Sequence, residues 1–226
     1  MKRRLIVLFL FTSLLVQAQQ AENRSVGSFS GIRVSEGIDV YLKPGDREAV
    51  RVEVSGVPLD AVVTEVSGDM LRVQMNSGRY KGNRTVKVYV TFVQLNKLMA
   101  SSAGNIYSES VIKSRNLSLT ASSAATIEVK VDAGELAAVA SSAGEIELQG
   151  KAERAMYDAS SAGEVDAYNV EAVEVKATAS SGADIKLTVT QRIEAQASSG
   201  ASIRYRGNPV KTNTNSSSGG SVKKSD

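Results

Sequence analysis

ASSAGNI at Ala100–Ile106, ASSAATI at 121–127, ASSAGEI at 140–146 and ASSAGEV at 159–165 are one phrase written four times. It continues as ASSGADI at 179–185, ASSGASI at 197–203 and SSSGGSV at Ser216–Val222. Aligned on the closing aliphatic residue (Ile106, Ile127, Ile146, Val165, Ile185, Ile203, Val222), the copies lie 21, 19, 19, 20, 18 and 19 residues apart. A steady period near twenty marks a solenoid, in which each unit buries its apolar side only against its neighbours.

The residues between phrases select strand over helix. Leu117, Leu119, Ala121, Ser123, Ala125, Ile127 and Val129 share one parity, and Ser118, Thr120, Ser122, Thr126, Glu128 and Lys130 share the other. Side chains alternate between faces in a strand, so period two separates a core side from a wet side. The expected fold is all-β: a right-handed single-stranded parallel β-helix of about 19–20 residues per coil over 97–222. With coils about 4.8 Å apart, seven phrases make a rod roughly 30 Å long.

The small residues have an expected job at the corners. Ala100, Ala121, Ala140, Ala159, Ala179 and Ala197 stack as one column. Ser102, Ser123, Ser142, Ser161, Ser181, Ser199 and Ser218 form a structural ladder beside it, their hydroxyls bonding one another or the corner backbone. Gly104, Gly144 and Gly163 are expected to free φ where two faces meet.

Upstream, alternation continues from Phe29. Ile32, Val34, Ile38, Val40 and Leu42, the turn Pro44-Gly45-Asp46, then Val50, Val52 and Val54 predict a hairpin. Ser67-Gly68-Asp69 is a second turn before Leu71, Val73 and Met75, and Val86, Val88 and Val90 form a further strand. Residues 59–66 fit both periods: Leu59, Val62, Val63 and Val66 make a helical face, whereas Val62, Thr64 and Val66 alternate. Their β-branched density favours a strand after a short turn near Pro58. Residues 29–96 thus form an N-terminal β layer continuous with, or packed upon, the coils; 19–28 read as a flexible lead-in and 223–226 as a tail.

Residues 1–18 read as a secretory signal peptide. Lys2, Arg3 and Arg4 precede the apolar run Leu5–Val16, which falls short of the roughly 20 residues a membrane-crossing helix needs. No membrane span is expected once it is removed. Its loss leaves 24 basic against 24 acidic residues, so the basic surplus gives no reason to expect a nucleic-acid partner. The chain has no cysteine and no histidine, which removes disulfide staples, the commonest general base and the commonest transition-metal ligand. No G-x-S-x-G elbow accompanies the serines, so no catalytic residue and no cofactor is assigned.

FSGIRVSEGIDVYLKPGD (29–46), VSGDMLRVQM (66–75) and the SSAG corners resemble the putative auto-transporter adhesin, head GIN domain family, over about Phe29 to Val222. Where members often carry a Gly-Ile-Asn-like step, this chain has Gly37-Ile38-Asp39 and Gly104-Asn105-Ile106. The resemblance implies an exported β-helical protein of a Bacteroidetes-like bacterium and offers no catalytic residues to carry over. It also implies a non-enzymatic module at the cell envelope, in the periplasm, on the outer surface or secreted, that presents a β-helix face to a protein or glycan. Two rivals stand beside this reading: a polysaccharide-processing β-helix enzyme, and a structural protein whose ends stack into a homo-oligomer.

One strip is a candidate cation site. Glu145, Glu164 and Asp184 share a ladder position, with Glu147 and Asp166 two residues beyond the first two. Like charges about 5 Å apart cost energy, which Ca²⁺ would offset. The alternative is a solvated face relieved by Lys186 and Arg204. Tyr107, Tyr157, Tyr168 and Tyr205 fall at no common repeat position, so no sugar-stacking platform is expected from them.

Overall fold

The structure, a computed structural model, describes residues 20–80 and 82–225. The expected export segment at 1–18 lies outside the described residues. Eight strands precede the repeats: β1 (Gln20–Arg24), β2 (Gly31–Val34), β3 (Asp39–Pro44), β4 (Ala49–Ser55), β5 (Val62–Ser67), β6 (Met70–Met75), β7 (Thr85–Phe92) and β8 (Lys97–Ala100). Five long bent strands follow, one per coil: β9 (Asn105–Ser122), β10 (Thr126–Ser141), β11 (Glu145–Ser160), β12 (Glu164–Ala179) and β13 (Asp184–Ala197). The next coil is split into β14 (Ser202–Arg206) and β15 (Lys211–Ser216), both paired with β13, and β16 (Ser221–Lys224) begins a further one on β14.

The coils stack in parallel and in register, giving an all-β solenoid of about seven turns. Ile106, Ile127, Ile146, Val165, Ile185, Ile203 and Val222 form one column, and Ala100, Ala121, Ala140, Ala159, Ala179 and Ala197 another. Nearly every inward position is sealed from water, and the buried apolar residues form a single continuous core. That continuity is what a repeat needs, because one coil alone has no inside.

The corner works differently from the expectation. Ser102, Ser123, Ser142, Ser161, Ser181, Ser199 and Ser218 are exposed, so their hydroxyls rescue no buried group. Their carbonyls do the stacking: Ala103 N–H donates to Ser123 O (3.0 Å), Ala124 to Ser142 (3.1 Å), Ala143 to Ser161 (3.1 Å) and Ala162 to Ser181 (3.1 Å). The left-handed turn is also made by other residues than the glycines named above. Each of the seven serines holds φ between 50° and 54°, and Ala103, Ala124, Ala143 and Ala162 hold φ of 57–59°. Gly144 and Gly163 serve by lacking a side chain: a Cβ there would stand 2.4 Å from Ala121 O and 2.5 Å from Ala140 O.

Residues 29–96 are wound into the same 16-stranded sheet. β2 pairs in parallel with β6 and β8, and β3 in parallel with β7 and β9. VSEGIDV at Val34–Val40 is therefore one more copy of the corner phrase, with Val34 beside Ala100, Val40 beside Ile106, and Glu36 and Gly37 at φ of 65° and 70°. The predicted hairpin between β3 and β4 is absent. β7 lies between them, parallel to β3 and antiparallel to β4, and Gly45 N–H caps Phe92 O (2.9 Å) instead of closing a tight turn. Alternation marks a strand's faces and leaves its partner open, so it could not distinguish these pairings.

Residues 59–66 resolve as a 3₁₀ turn at Leu59–Ala61 followed by β5, the strand reading. Residues 20–24, expected to be flexible, pair antiparallel with β4. The side chains of residues 20–23 stay exposed, so backbone hydrogen bonds and the half-buried Arg24 hold the strand: Arg24 donates to Val62 O (2.5 Å), Leu59 O (2.8 Å) and Thr64 Oγ1 (3.1 Å). This clamp ties β1 to β5 and closes the N-terminal end with strands running against the solenoid, which blunts an edge open to further pairing.

Candidate functional site

Two outward faces of the coils carry chemistry. On the strand leaving each corner, the second outward row runs Tyr89, Tyr41, Tyr107, Glu128, Glu147, Asp166, Lys186, Arg204 and Lys223, fixed by the register of successive coils. Three tyrosines from β7, β3 and β9 therefore stack along the rod, with ring centroids 5.3 Å apart and planes inclined 22° and 26°. The row then turns acidic, then basic.

Beside the stack the chain bulges. β9 inserts Glu109 and Ser110, since Val129 pairs with Ser108 and Lys130 with Val111. Ser108, nearly buried, ties the bulge down by donating to Ser110 O (2.8 Å). The result is an open pocket of about 550 Å³ between the Tyr41 and Tyr107 rings, the bulge, and Lys43, Glu128, Lys130 and Gln149. Extra residues in a ladder commonly re-aim side chains next to binding sites.

The acidic strip lies immediately C-terminal to this pocket. Glu145, Glu164 and Asp184 are in register, as are Glu147 and Asp166. Three of the strip's five carboxylates are neutralised: Lys186 Nζ sits 2.8 Å from Glu164 and 3.2 Å from Asp166, and Arg204 sits 2.8 Å from Asp184. Among the described residues no group of three or more carboxylates is arranged to hold a metal ion, and the Lys186 ammonium fills the place between Glu164 and Asp166. Glu128, Glu145 and Glu147 have no ion-pair partner among the described residues. Burial, then the charges of Glu128, Asp166 and Glu145, pushes the Glu147 carboxyl above its ordinary range. Burial, Asp39 and neighbouring groups likewise push the Tyr107 phenol up.

The Glu147 shift fixes the sign of a pH effect. A carboxyl raised on folding destabilises the fold when ionised, fully so at neutral pH, and the penalty fades as pH falls through the folded value to the unfolded one. Glu147→Gln is expected to melt above wild type at pH 7, and that advantage should vanish as the solution is acidified through the carboxylate range. Melting curves of both proteins across that range check it; a constant offset would show that charge is not the cause.

The second face is a trough along the rod. Beneath it runs the buried column Leu117, Leu136, Ala155 and Val175, one residue per coil and none more than 5% exposed, and its volume is about 640 Å³. One rim reads Asn116, Glu135, Arg154, Glu174 and Arg192; the other reads Ser118, Ala137, Met156, Lys176 and Glu194. Rim charges pair across coils, Arg154 with Glu135 (2.6 Å) and Lys176 with Glu194 (3.7 Å). At its N-terminal end the trough shares Asn96 and Asn116 with a smaller hollow bordered by Lys113 and Arg115.

The sequence pointed to the acidic strip of the first face but to neither the tyrosine stack nor the trough. Tyr41 meets Tyr107 across 66 residues, and Tyr89 enters only because β7 displaces β4. Tyr157 is buried in the core, and Tyr168 packs under Arg206 (3.9 Å) and bonds Ser225 (3.1 Å). The period itself could have found the trough: the residue four before each corner alanine is Leu117, Leu136, Ala155, Val175 and Ile193.

A sequence model described as "Putative auto-transporter adhesin, head GIN domain" matches residues 28–209. Among solved structures the chain is similar to a putative adhesin from Bacteroides fragilis NCTC 9343, with a TM-score of 0.83, 18% identity, and coverage of 92% of this chain and 97% of that one. It is also similar to a putative lipid binding protein from Parabacteroides distasonis ATCC 8503 (TM-score 0.71, 19% identity, 92% and 97% covered). A putative adhesin from Parabacteroides merdae ATCC 43184 has a TM-score of 0.70 at 18% identity, with 92% and 96% covered. No curated protein matches the chain.

Proposed function

We propose, because this chain belongs to the putative auto-transporter adhesin, head GIN domain family, that it is an exported, non-enzymatic binding module of the cell envelope whose tyrosine-lined face holds a glycan. The observation that carries this is the Tyr89–Tyr41–Tyr107 stack beside the bulge pocket. Sugars offer apolar C–H faces and rows of hydroxyls. Aromatic rings match the first, and carboxylates without ion-pair partners such as Glu128 accept hydrogen bonds from the second. The coil repeat then presents equivalent groups about 4.8 Å apart, which suits an extended polymer. Among the described residues no helix is long and apolar enough to cross a membrane.

A glycan array probed with the chain from residue 19 onward tests the reading. Binding to a defined glycan class is expected, weakened roughly tenfold or more in the Tyr41→Ala/Tyr107→Ala double variant, the loss of about two aromatic contacts. Binding unchanged in that variant, or release of shortened sugar chains from the array, would overturn it.

The trough supports a second reading, lipid binding, which the similar Parabacteroides distasonis structure is named for. The exposed Met156 side chain and the paired rim charges suit a hydrocarbon chain.

A further inference from the structure

We propose that the trough, on the lipid reading on which this assignment rests, takes a single-chain anionic amphiphile. The acyl chain lies between the two rims, against Ala137 and Met156 and above the buried column of Leu117, Leu136, Ala155 and Val175, and the head group sits at Lys113 and Arg115.

Hydrogen-bonding geometry favours hydrocarbon over peptide. The strands crossing the trough floor spend their backbone N–H and C=O groups on the coils above and below, in register from β9 to β13. A peptide laid along the rod would find no backbone partners there and would pay for its own unpaired groups. A hydrocarbon chain has none to satisfy. From β9 to β13 the trough crosses four strand spacings, about 19 Å, a length suited to a long acyl chain. Half-exposed Met156 stands on the rim next to Ala155 at mid-length. Methionine adapts its shape to such a guest.

Charge sets the direction. Within the trough Glu135 is paired with Arg154 and Glu194 with Lys176, while Glu174 lies in register between Arg154 and Arg192. Lys113 and Arg115, at the N-terminal end, are exposed and have no carboxylate partner among the described residues. Asn96 and Asn116 border the same hollow and have amide N–H groups to offer; Ser30, also there, already donates its hydroxyl to Asp69 (3.4 Å) and accepts from Asn96 (3.3 Å). Cations without partners at one end of an apolar channel select an anion attached to a hydrocarbon, and a carboxylate and a phosphate both qualify.

Equilibrium dialysis of the chain from residue 19 onward tests this, below micellar concentrations. The probes are palmitate, palmitoyl-lysophosphatidylglycerol and hexadecyltrimethylammonium. Both anionic probes are expected to bind at one per protein, and the cationic one at least about tenfold more weakly. The relative affinity of the two anionic probes tells a carboxylate head from a phosphate head. Lys113→Glu/Arg115→Glu should lower anionic affinity roughly ten- to hundredfold and spare the cationic probe. Met156→Glu, at an exposed position, should weaken all three, with melting curves confirming that each variant is folded. Equal affinity for the two head-group charges, unchanged by the Lys113/Arg115 substitutions, overturns the anionic assignment and leaves lipid binding standing. Absence of saturable binding by every probe overturns both, as does binding that Met156→Glu leaves intact.

Discussion

Replacing Gly150 by alanine is expected to cost about 3–5 kcal/mol and lower the melting temperature by roughly 10 °C. Gly150 sits at φ 124°, a region closed to residues with a side chain, and its added Cβ would stand 2.0 Å from Val131 O and 3.0 Å from Val131 C. Both are backbone atoms of the adjacent coil, held in register by the ladder, so neither can swing aside. The control is Gly182→Ala. Gly182 has φ 71° and nothing within 4 Å of its Cβ position, and Ala103, Ala124, Ala143 and Ala162 already occupy that corner position in other coils. Its cost should stay near 1 kcal/mol, the ordinary penalty for left-handed backbone. Thermal unfolding followed by circular dichroism separates the two; a Gly150→Ala protein melting with the Gly182→Ala control would refute the steric account.

Tyr157 gives the second large effect, with opposite signs for two substitutions. It stands in the inward column Leu119, Ala138, Tyr157, Ala177 and Ala195, so one large ring fills the space its alanine neighbours leave. The ring is 1% exposed, and its hydroxyl has no hydrogen-bond partner among the described residues. Burial drives the phenol's pKa far above its usual value, so the group stays neutral throughout the accessible pH range. Tyr157→Phe removes a desolvated hydroxyl and keeps the packing, and is expected to stabilise by about 1–2 kcal/mol. Tyr157→Ala removes the packing and is expected to cost about 3–5 kcal/mol. Denaturant melts of the pair decide it. A phenylalanine variant less stable than wild type would mean that the hydroxyl is bonded, an interior water being the natural partner.

What was legible in advance divides along physical lines. The columns from Ile106 to Val222 could be read directly, because neighbouring coils lie about twenty residues apart and repeat their own pattern. The first coils could not. Val34–Val40 carries the corner phrase with Glu36 in the serine's place, and its partner waits 66 residues downstream. Between them the chain runs through β4 to β7, which pair out of order. Tyr41 and Tyr89 were invisible for the same reason: each gains meaning only from the strand beside it. The glycines misled for a different reason. Gly144 and Gly163 suggested backbone freedom, whereas their duty is to leave room for the coil next door. The acidic residues were visible to the repeat period, and in the structure Lys186 and Arg204 pair with Glu164, Asp166 and Asp184 in the same register.

The two ends of the rod respond differently to force. Coil is joined to coil by hydrogen bonds parallel to the long axis, so a tether pulling on the chain termini loads them one after another. The final described turn, whose β16 pairs with β14 and which is latched by Tyr168 against Ser225 and Arg206, is the first to peel. The opposite end, where Arg24 rivets strands of reversed direction together, resists longest. Under tension the molecule would pay out slack from its C-terminus and keep its tyrosine face intact until last.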